Sequence, residues 1–437
     1  MTDETQDHSI EKAPDAELWS ARQEDPSRAV FGLKFAPLLL CLMVIALLCV
    51  GIAMIHSATI ATKGDFFFRH QLVWIGIGLC MFLFAAFAPL RSLYRYSLWG
   101  ILLIMMPLAY LAFAKLMTSV AGLDILRFFP FISQTKGAIR WLQFGSIKIQ
   151  PSEFSKLFLV VYLAAYYGRL PREQIQKFVP GVLIPGLVAG CILALIFLGK
   201  DLSTTVITAG MAFVVMFLAG IRFRWILLFG ALGICAIYVF IQFSPMRVNR
   251  ILAYRNPKVF RDEESHQLWR SQLCLGSGGL TGVGYANGVM KTYLQESHTD
   301  FIVAVIGEEF GMIGIFGIIL AYLLICLSIV AIARQCRDRS DLFLSLGIAM
   351  LLALQAMVNI GVVSGWCPPT GVTAPFLSYG GSSIISLMFL IGLVLNVNLR
   401  NRVAVSQEIS SQCCLPTPAA MEILHQAETS RPHKPHG

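Results

Sequence analysis

Long apolar runs recur along the chain, separated by short polar breaks. Phe35 to Ile55, Val179 to Leu198, Leu202 to Ile221, Trp225 to Phe243, Phe301 to Ala333 and Leu342 to Val363 come near or exceed the roughly 20 residues that a helix needs to cross about 30 Å of hydrocarbon. The runs Leu72 to Ala88, Leu98 to Ala114, Phe154 to Tyr167 and Phe376 to Val397 are weaker, broken by Lys156 or by Gly and Ser turns. The pattern predicts an all-α polytopic membrane protein with ten transmembrane helices. An even count returns both termini to one side.

The Lys and Arg distribution chooses the side. With the N-terminus inside, the short inner loops 89–96, 169–178, 221–224 and 334–341 carry ten Lys and Arg in 30 residues, against 15 in 127 for the outer segments 56–70, 115–151, 199–202, 244–300 and 366–379. Positive residues accumulate on the cytoplasmic side of short loops, so the reading is N-in, C-in, with a large outer loop between helices 7 and 8. The first apolar run is long enough to span and follows a polar stretch, so it acts as its own insertion signal and not as a cleavable one. Residues 1–34 and 403–437 lack hydrophobic periodicity and are expected to be disordered cytoplasmic tails around a membrane domain of 35–402.

Composition agrees. The 437 residues are 56% hydrophobic and 14% charged, with a mean hydropathy of +0.70, whereas soluble chains run roughly 45–50% and about 25%. That excludes an ordinary soluble enzyme. The net charge of +9 reflects topology and no nucleic-acid partner, because the cations punctuate apolar runs instead of forming a stripe. The 11 cysteines contain no C-x-x-C pair and mostly lie in spans as small packing residues. Cys274 and Cys367 both fall in outer segments, and whether they approach closely enough to pair is open.

The chemistry is expected in the long outer segments 115–151, 244–300 and 366–379. The stretch Gly276 to Gly288 suits a flexible loop with tight turns, since no register gives G-x-G-x-x-G or a G-x-x-x-x-G-K-[ST] loop. Leu377-Ser378-Tyr379-Gly380 lacks the first glycine of a nucleophile elbow. Ionisable groups near hydrocarbon are more informative, because such charges are normally paired or functional. Glu153 and Lys156 share a helix face at i, i+3 and suit an ion pair. Asp201 follows Lys200 and suits an interfacial pair. Asp300 closes the long loop beside His298, where it suits a helix cap or a weak cation site. Glu308 lies on the same face two turns further in, and with Glu309 it extends a line of acids suited to a polar cavity or a proton path.

Several segments resemble one family. Gly137-Ala-Ile-Arg-Trp141, Phe144-Gly-Ser-Ile-Lys-Ile-Gln-Pro-Ser-Glu-Phe-Ser-Lys156, His298-Thr-Asp-Phe-Ile302, Ile306-Gly-Glu-Glu-Phe-Gly311, Pro369-Thr-Gly371 and Pro375-Phe-Leu-Ser-Tyr-Gly-Gly-Ser-Ser383 are similar, in order, to the motifs of the SEDS peptidoglycan glycosyltransferases. The Ile-Gly-Glu-Glu run and the long N-terminal tail resemble the division branch; Val358-Asn-Ile-Gly361 also occurs in elongation and sporulation members. The resemblance implies polymerisation of lipid II at the outer face of a bacterial inner membrane, at the septum for a division-type member. It implies a class B penicillin-binding protein and other divisome proteins as partners, and no organic cofactor. Asp300 matches the proposed catalytic aspartate. Arg140, Lys156 and a divalent cation, Mg or Mn, are candidates to meet the leaving pyrophosphate. Trp141, Glu153, Asp201, His298, Ser378 and Gly380 match cavity positions. The sequence departs from the family at Lys200 and Ser203, which stand where Pro and Gly are usual, and at Gln295 in place of Pro. Lys200 is therefore a second candidate partner for Asp201. Two other readings stay open: a lipid II flippase, in which Glu308 or Glu309 matters more than Asp300, and a scaffold that recruits the transpeptidase.

Overall fold

The computed structural model describes residues 26–121, 129–135, 138–145, 147–242, 266–294 and 296–413. The helices are α1 (Pro26–Lys63), α2 (Phe66–Phe87), α3 (Leu90–Arg95), α4 (Ser97–Ala121), α5 (Pro151–Arg169), α6 (Arg172–Ile175), α7 (Ile184–Leu198), α8 (Leu202–Ala219), α9 (Phe223–Gln242), α10 (His266–Gly278), α11 (Ile302–Arg334), α12 (Arg339–Val363) and α13 (Gly381–Cys413). Eight helical segments among the described residues are long and apolar enough to cross a membrane. The other two expected spans fall in α5 and α9. Helix α1 begins at Pro26 and α13 runs to Cys413, so helical structure reaches beyond 35–402 at both ends.

The purely helical expectation needs one correction. Before α5 lies a three-stranded antiparallel sheet, β1 (Ile132–Thr135), β2 (Ala138–Phe144) and β3 (Ile147–Ile149), in the order β1-β2-β3. Ile, Trp and Phe supply β-prone side chains, and Gly145, at a φ of 61°, turns β2 towards β3.

Helix α5 sits at the centre, packed by α4, α8, α12 and α13. This position explains its weak hydropathy: a helix surrounded by protein needs no lipid-facing apolar surface and can carry Glu153 and Lys156 inward. Pro151 opens it, Glu153 lies in its first turn and Arg169 in its last, as the helix dipole favours. The outward faces of the other spans carry large apolar side chains such as Leu38, Phe84, Leu103 and Phe316, all more than 60% exposed, with lipid as the natural solvent.

Proline also shapes the entry to α7. Pro185 has no N–H to offer the Gly181 carbonyl four residues back, and the turn at Val179–Leu183 widens to a π-helix. Tyr166 and Tyr167 on α5 donate to the freed Pro180 and Gly181 carbonyls at 2.6 and 2.8 Å.

Candidate functional site

The site lies at the end of the bundle where α5, α8, α11 and α13 begin and α12 stops. Segment 364–380 folds inward there and takes up the main chain before α11. Successive carbonyls of the His298-Thr-Asp300 turn each accept from a different donor: His298 from the Tyr379 N–H at 2.9 Å, Thr299 from Ser378 Oγ at 2.6 Å, and Asp300 from Asn359 Nδ2 at 2.9 Å. The helix cap falls one residue on, at Phe301, which offers no side-chain cap. Gly371, at a φ of 73°, passes beside the Asp300 carboxylate; a Cβ there would stand 3.4 Å from Oδ2. His298 is buried and packs between Phe67 and Tyr379, with ring centroids at 4.4 and 5.9 Å.

On the other side of the same segment stands Asp201. It caps α8 by accepting the Thr204 N–H at 3.3 Å, and it accepts from Gln150 Nε2 at 2.9 Å and Ser152 Oγ at 3.1 Å. The cation beside it is Arg140 of β2, at 3.9 Å, and not Lys200, which is exposed at a φ of 63°. Ser203, in the first turn of α8, donates to the Thr370 carbonyl. Thr370 to Val372 therefore runs from the Asp201 helix end to Asp300. Two residues on, Thr373 Oγ1 meets Ser383 Oγ at 3.3 Å, and Ser382 accepts the Gln150 N–H at 3.0 Å.

Glu153 and Lys156 form the expected pair at 2.8 Å, both buried. Lys156 is thereby neutralised within α5, whereas Arg140 is 32% exposed and its Nε donates to nothing among the described residues. Trp141 lies half-buried in β2 opposite Ser133. At Gly380 a Cβ would meet only Ser383, at 3.6 Å, so the position has room beside it. The tightly packed glycine is Gly381, against Trp74.

The line of acids running inward from Asp300 is replaced by a clamp. Glu308 accepts the backbone N–H groups of Met290 and Lys291 at 2.7 and 3.0 Å. Glu309 accepts from Lys291 Nζ at 2.5 Å, Ser57 Oγ at 2.5 Å and the Ala286 N–H at 3.1 Å. Both carboxylates hold the glycine-rich loop onto α11. The helix breaks at Gly311 (φ 64°, ψ −157°), which only glycine adopts readily. The freed Glu308 and Glu309 carbonyls accept from Val283 and Gly284, while the Met312 and Ile313 N–H groups donate to Gly279 and Leu280. The loop expected to be flexible is thus docked by backbone hydrogen bonds.

Cys274 and Cys367 are both free thiols. Cys274 is fully buried on α10, where burial and then the nearby Glu308 push its thiol up to about 12. No group of three or more His, Cys, Asp or Glu side chains gathers as a metal site among the described residues. These residues therefore provide no all-protein cage; they fit only an ion carried by substrate phosphates and met by one carboxylate.

Sequence reading passed over Asn359, Gln355, Gln71, Gln150 and Lys291. A signal was present: Gln355 and Asn359 are amides inside the apolar run 342–363, where polar groups need a reason.

The model of the cell cycle protein family FtsW, RodA and SpoVE matches residues 35–403. The chain belongs to this family. It is 35% identical over 374 residues, 83% of this chain and 94% of the relative, to the "Probable peptidoglycan glycosyltransferase FtsW" of Geobacter metallireducens. It is 32% identical over 376 residues to the stage V sporulation protein E of Bacillus subtilis, covering 84% and 97% of the two chains. Among solved structures, a chain from a peptidoglycan synthase complex that coordinates polymerization and crosslinking superposes with a TM-score of 0.66 at 26% identity, covering 83% of this chain and 97% of that one. The rod shape determining protein RodA of Thermus thermophilus gives 0.60 at 27%, covering 83% and 96%. These matches agree with the motif resemblance and span the whole family domain.

Proposed function

We propose that the chain is a peptidoglycan glycosyltransferase of the division branch, polymerising lipid II at the outer face of the bacterial cytoplasmic membrane. The ten-helix, N-in, C-in topology, with α5 and α9 as the remaining spans, puts the Asp300 end of the bundle outside. The observation that carries the reading is the Asp300 carboxylate set against Gly371, on a turn whose three consecutive main-chain carbonyls are each held by a donor from Ser378, Tyr379 or Asn359.

Asp300 takes the proton from the acceptor sugar's 4-hydroxyl as that oxygen attacks the donor's anomeric carbon. The bond from that carbon to undecaprenyl pyrophosphate breaks with inversion. The carboxylate must be ionised and within hydrogen-bond reach of the hydroxyl. Negative charge grows on the leaving pyrophosphate, and Arg140, 32% exposed and only loosely paired with Asp201 at 3.9 Å, is the cation proposed to meet it. Lys156 stays with Glu153 and keeps the central helix neutral. A divalent cation, when bound, would supply further neutralisation of the phosphates, with Asp201 or Asp300 as the carboxylate that would hold it. The partner is a class B penicillin-binding protein, with other divisome proteins at the septum. The clamp made by Glu308 and Glu309 leaves no open acid line for a proton-coupled flippase.

The test is gel analysis of glycan chains from labelled lipid II, with purified wild type and Asp300→Ala, the transpeptidase partner and a divalent cation. Wild type is expected to give polymer, and a folded Asp300→Ala protein none. Polymer from both removes Asp300 as the base. Polymer from neither overturns the transferase itself.

A further inference from the structure

The work assigned to Asp300 depends on where its carboxylate stands, and one side chain from a neighbouring helix holds the main chain that carries it. Asn359 of α12 is 1% exposed. Its amide nitrogen donates to the Asp300 carbonyl at 2.9 Å and to the Val372 carbonyl at 2.6 Å. Both amide protons are thereby used. Val372 follows Gly371, the residue beside Asp300 Oδ2, so a single NH2 group ties together the two backbones that bound the carboxylate.

The other half of this amide does nothing comparable. Asn359 Oδ1 is buried and accepts no hydrogen bond among the described residues. An unsatisfied buried acceptor is unfavourable, and leucine, of similar size, would fill the place without it. What its nitrogen holds therefore accounts for the amide better than helix packing does. Gln355, one turn earlier, reaches the Thr373 carbonyl at a longer 3.4 Å.

We infer that Asn359 is a positioning residue, which sets the Asp300 carboxylate against the acceptor hydroxyl through the Asp300 and Val372 carbonyls. The inference rests on reading Asp300 as the base. Misplacing a reacting group by about 1 Å costs rate on the order of 100-fold. Binding of the lipid, which depends on phosphate, sugar and chain contacts elsewhere, does not change.

The experiment compares purified full-length wild type, Asn359→Leu, Asn359→Asp, Asn398→Leu and Asp300→Asn with the transpeptidase partner, measuring kcat and KM for labelled lipid II across pH. Asn359→Leu is expected to lower kcat about 100-fold with KM within about twofold. Asn359→Asp adds a carboxyl group beside Asp300, and like charges disfavour ionisation, so the acid limb of kcat moves to higher pH. The other titratable groups on the packed elements include His298 and Glu296 on the Asp300 turn, Cys367 and Tyr379 on segment 364–380, Asp201 and Arg140 across that segment, and Arg339 and Asp341 at the far end of α12, and all are kept. Asn398, a buried amide about halfway along α13 with neither side-chain atom bonded among the described residues, controls for amide removal, and Asn398→Leu keeps wild-type kcat.

A folded Asn359→Leu protein with wild-type kcat, or with KM rising as kcat falls, overturns the inference. If Asn359→Leu does not fold, an unmoved acid limb in Asn359→Asp overturns it. Asp300→Asn separates the two readings. If it still polymerises, the base assignment fails; if it is inactive while Asn359→Leu is fully active, only the positioning role fails.

Discussion

Replacing Lys291 with Met would leave Glu309 as a buried carboxylate without its cation. The side chains are 4% and 0% exposed, so solvent screening takes little from the interaction. Removing one partner of a buried pair costs about 3–5 kcal/mol. Glu309 keeps the Ser57 hydroxyl and the Ala286 N–H, which places the loss near about 3 kcal/mol, or roughly 150-fold in an equilibrium. The loss falls on the docked loop, whose Val283, Gly284, Met290 and Lys291 amides bond to α11. Hydrogen exchange of segment 279–294 in the purified protein should therefore speed up about 150-fold through local opening. Adding Glu309→Gln removes the stranded charge, and exchange should return to within about fivefold of wild type, a residual on the order of 1 kcal/mol. An unchanged exchange rate in Lys291→Met, or a double variant as fast as the single, would refute the clamp.

Arg140 and Lys156 should fail in opposite ways. Arg140→Ala leaves Asp201 with its Gln150, Ser152 and Thr204 donors, so melting is expected to hold while the polymerisation rate falls about 100-fold, as for loss of one electrostatic contact to developing charge; rates and thermal melting of one preparation check this. Lys156→Met instead strands the buried Glu153 and should lower the melting temperature, by the equivalent of about 3–5 kcal/mol. Cys274 offers a pH test. Its pKa of about 12 in the fold, against an ordinary 9.0, means the protonated thiol favours the fold at pH below about 9, a contribution lost as pH rises towards 12. At pH 8 its thiolate fraction is about a thousandfold below that of an ordinary thiol. Iodoacetamide mapped by mass spectrometry should modify Cys367 first, and rapid labelling of Cys274 would contradict the buried site.

Spans and motifs were legible because each is a local property. Twenty apolar residues specify a helix in lipid whatever the neighbours do, and Glu153 and Lys156 pair because three residues along a helix is a fixed separation. The sheet at 132–149 escaped notice because its strands are short and lie in a polar stretch, where hydrophobic periodicity carries little signal. Glu308 illustrates a different limit. Helical spacing put it on the face of Asp300, but Asp300 lies in the turn before α11, and spacing along one helix says nothing about what docks against a face. The loop that does so is held by a break at Gly311, which exposes carbonyls that an unbroken helix would keep to itself.

By itself the sequence determined the membrane environment, the helical architecture, the family and the residues that carry charge near the site, since each follows from composition, period or an ordered set of short motifs. The tertiary structure alone decided which of those charges are committed and which retain capacity. It gave Lys156 to Glu153, Lys291 to Glu309 and Arg140 to Asp201, and it brought Asn359, 59 residues away in sequence, onto the Asp300 carbonyl. Such pairings depend on how helices cross in three dimensions. No pattern read along one chain contains that information, because the contacts are made between segments whose separation in sequence is unrelated to their distance in space.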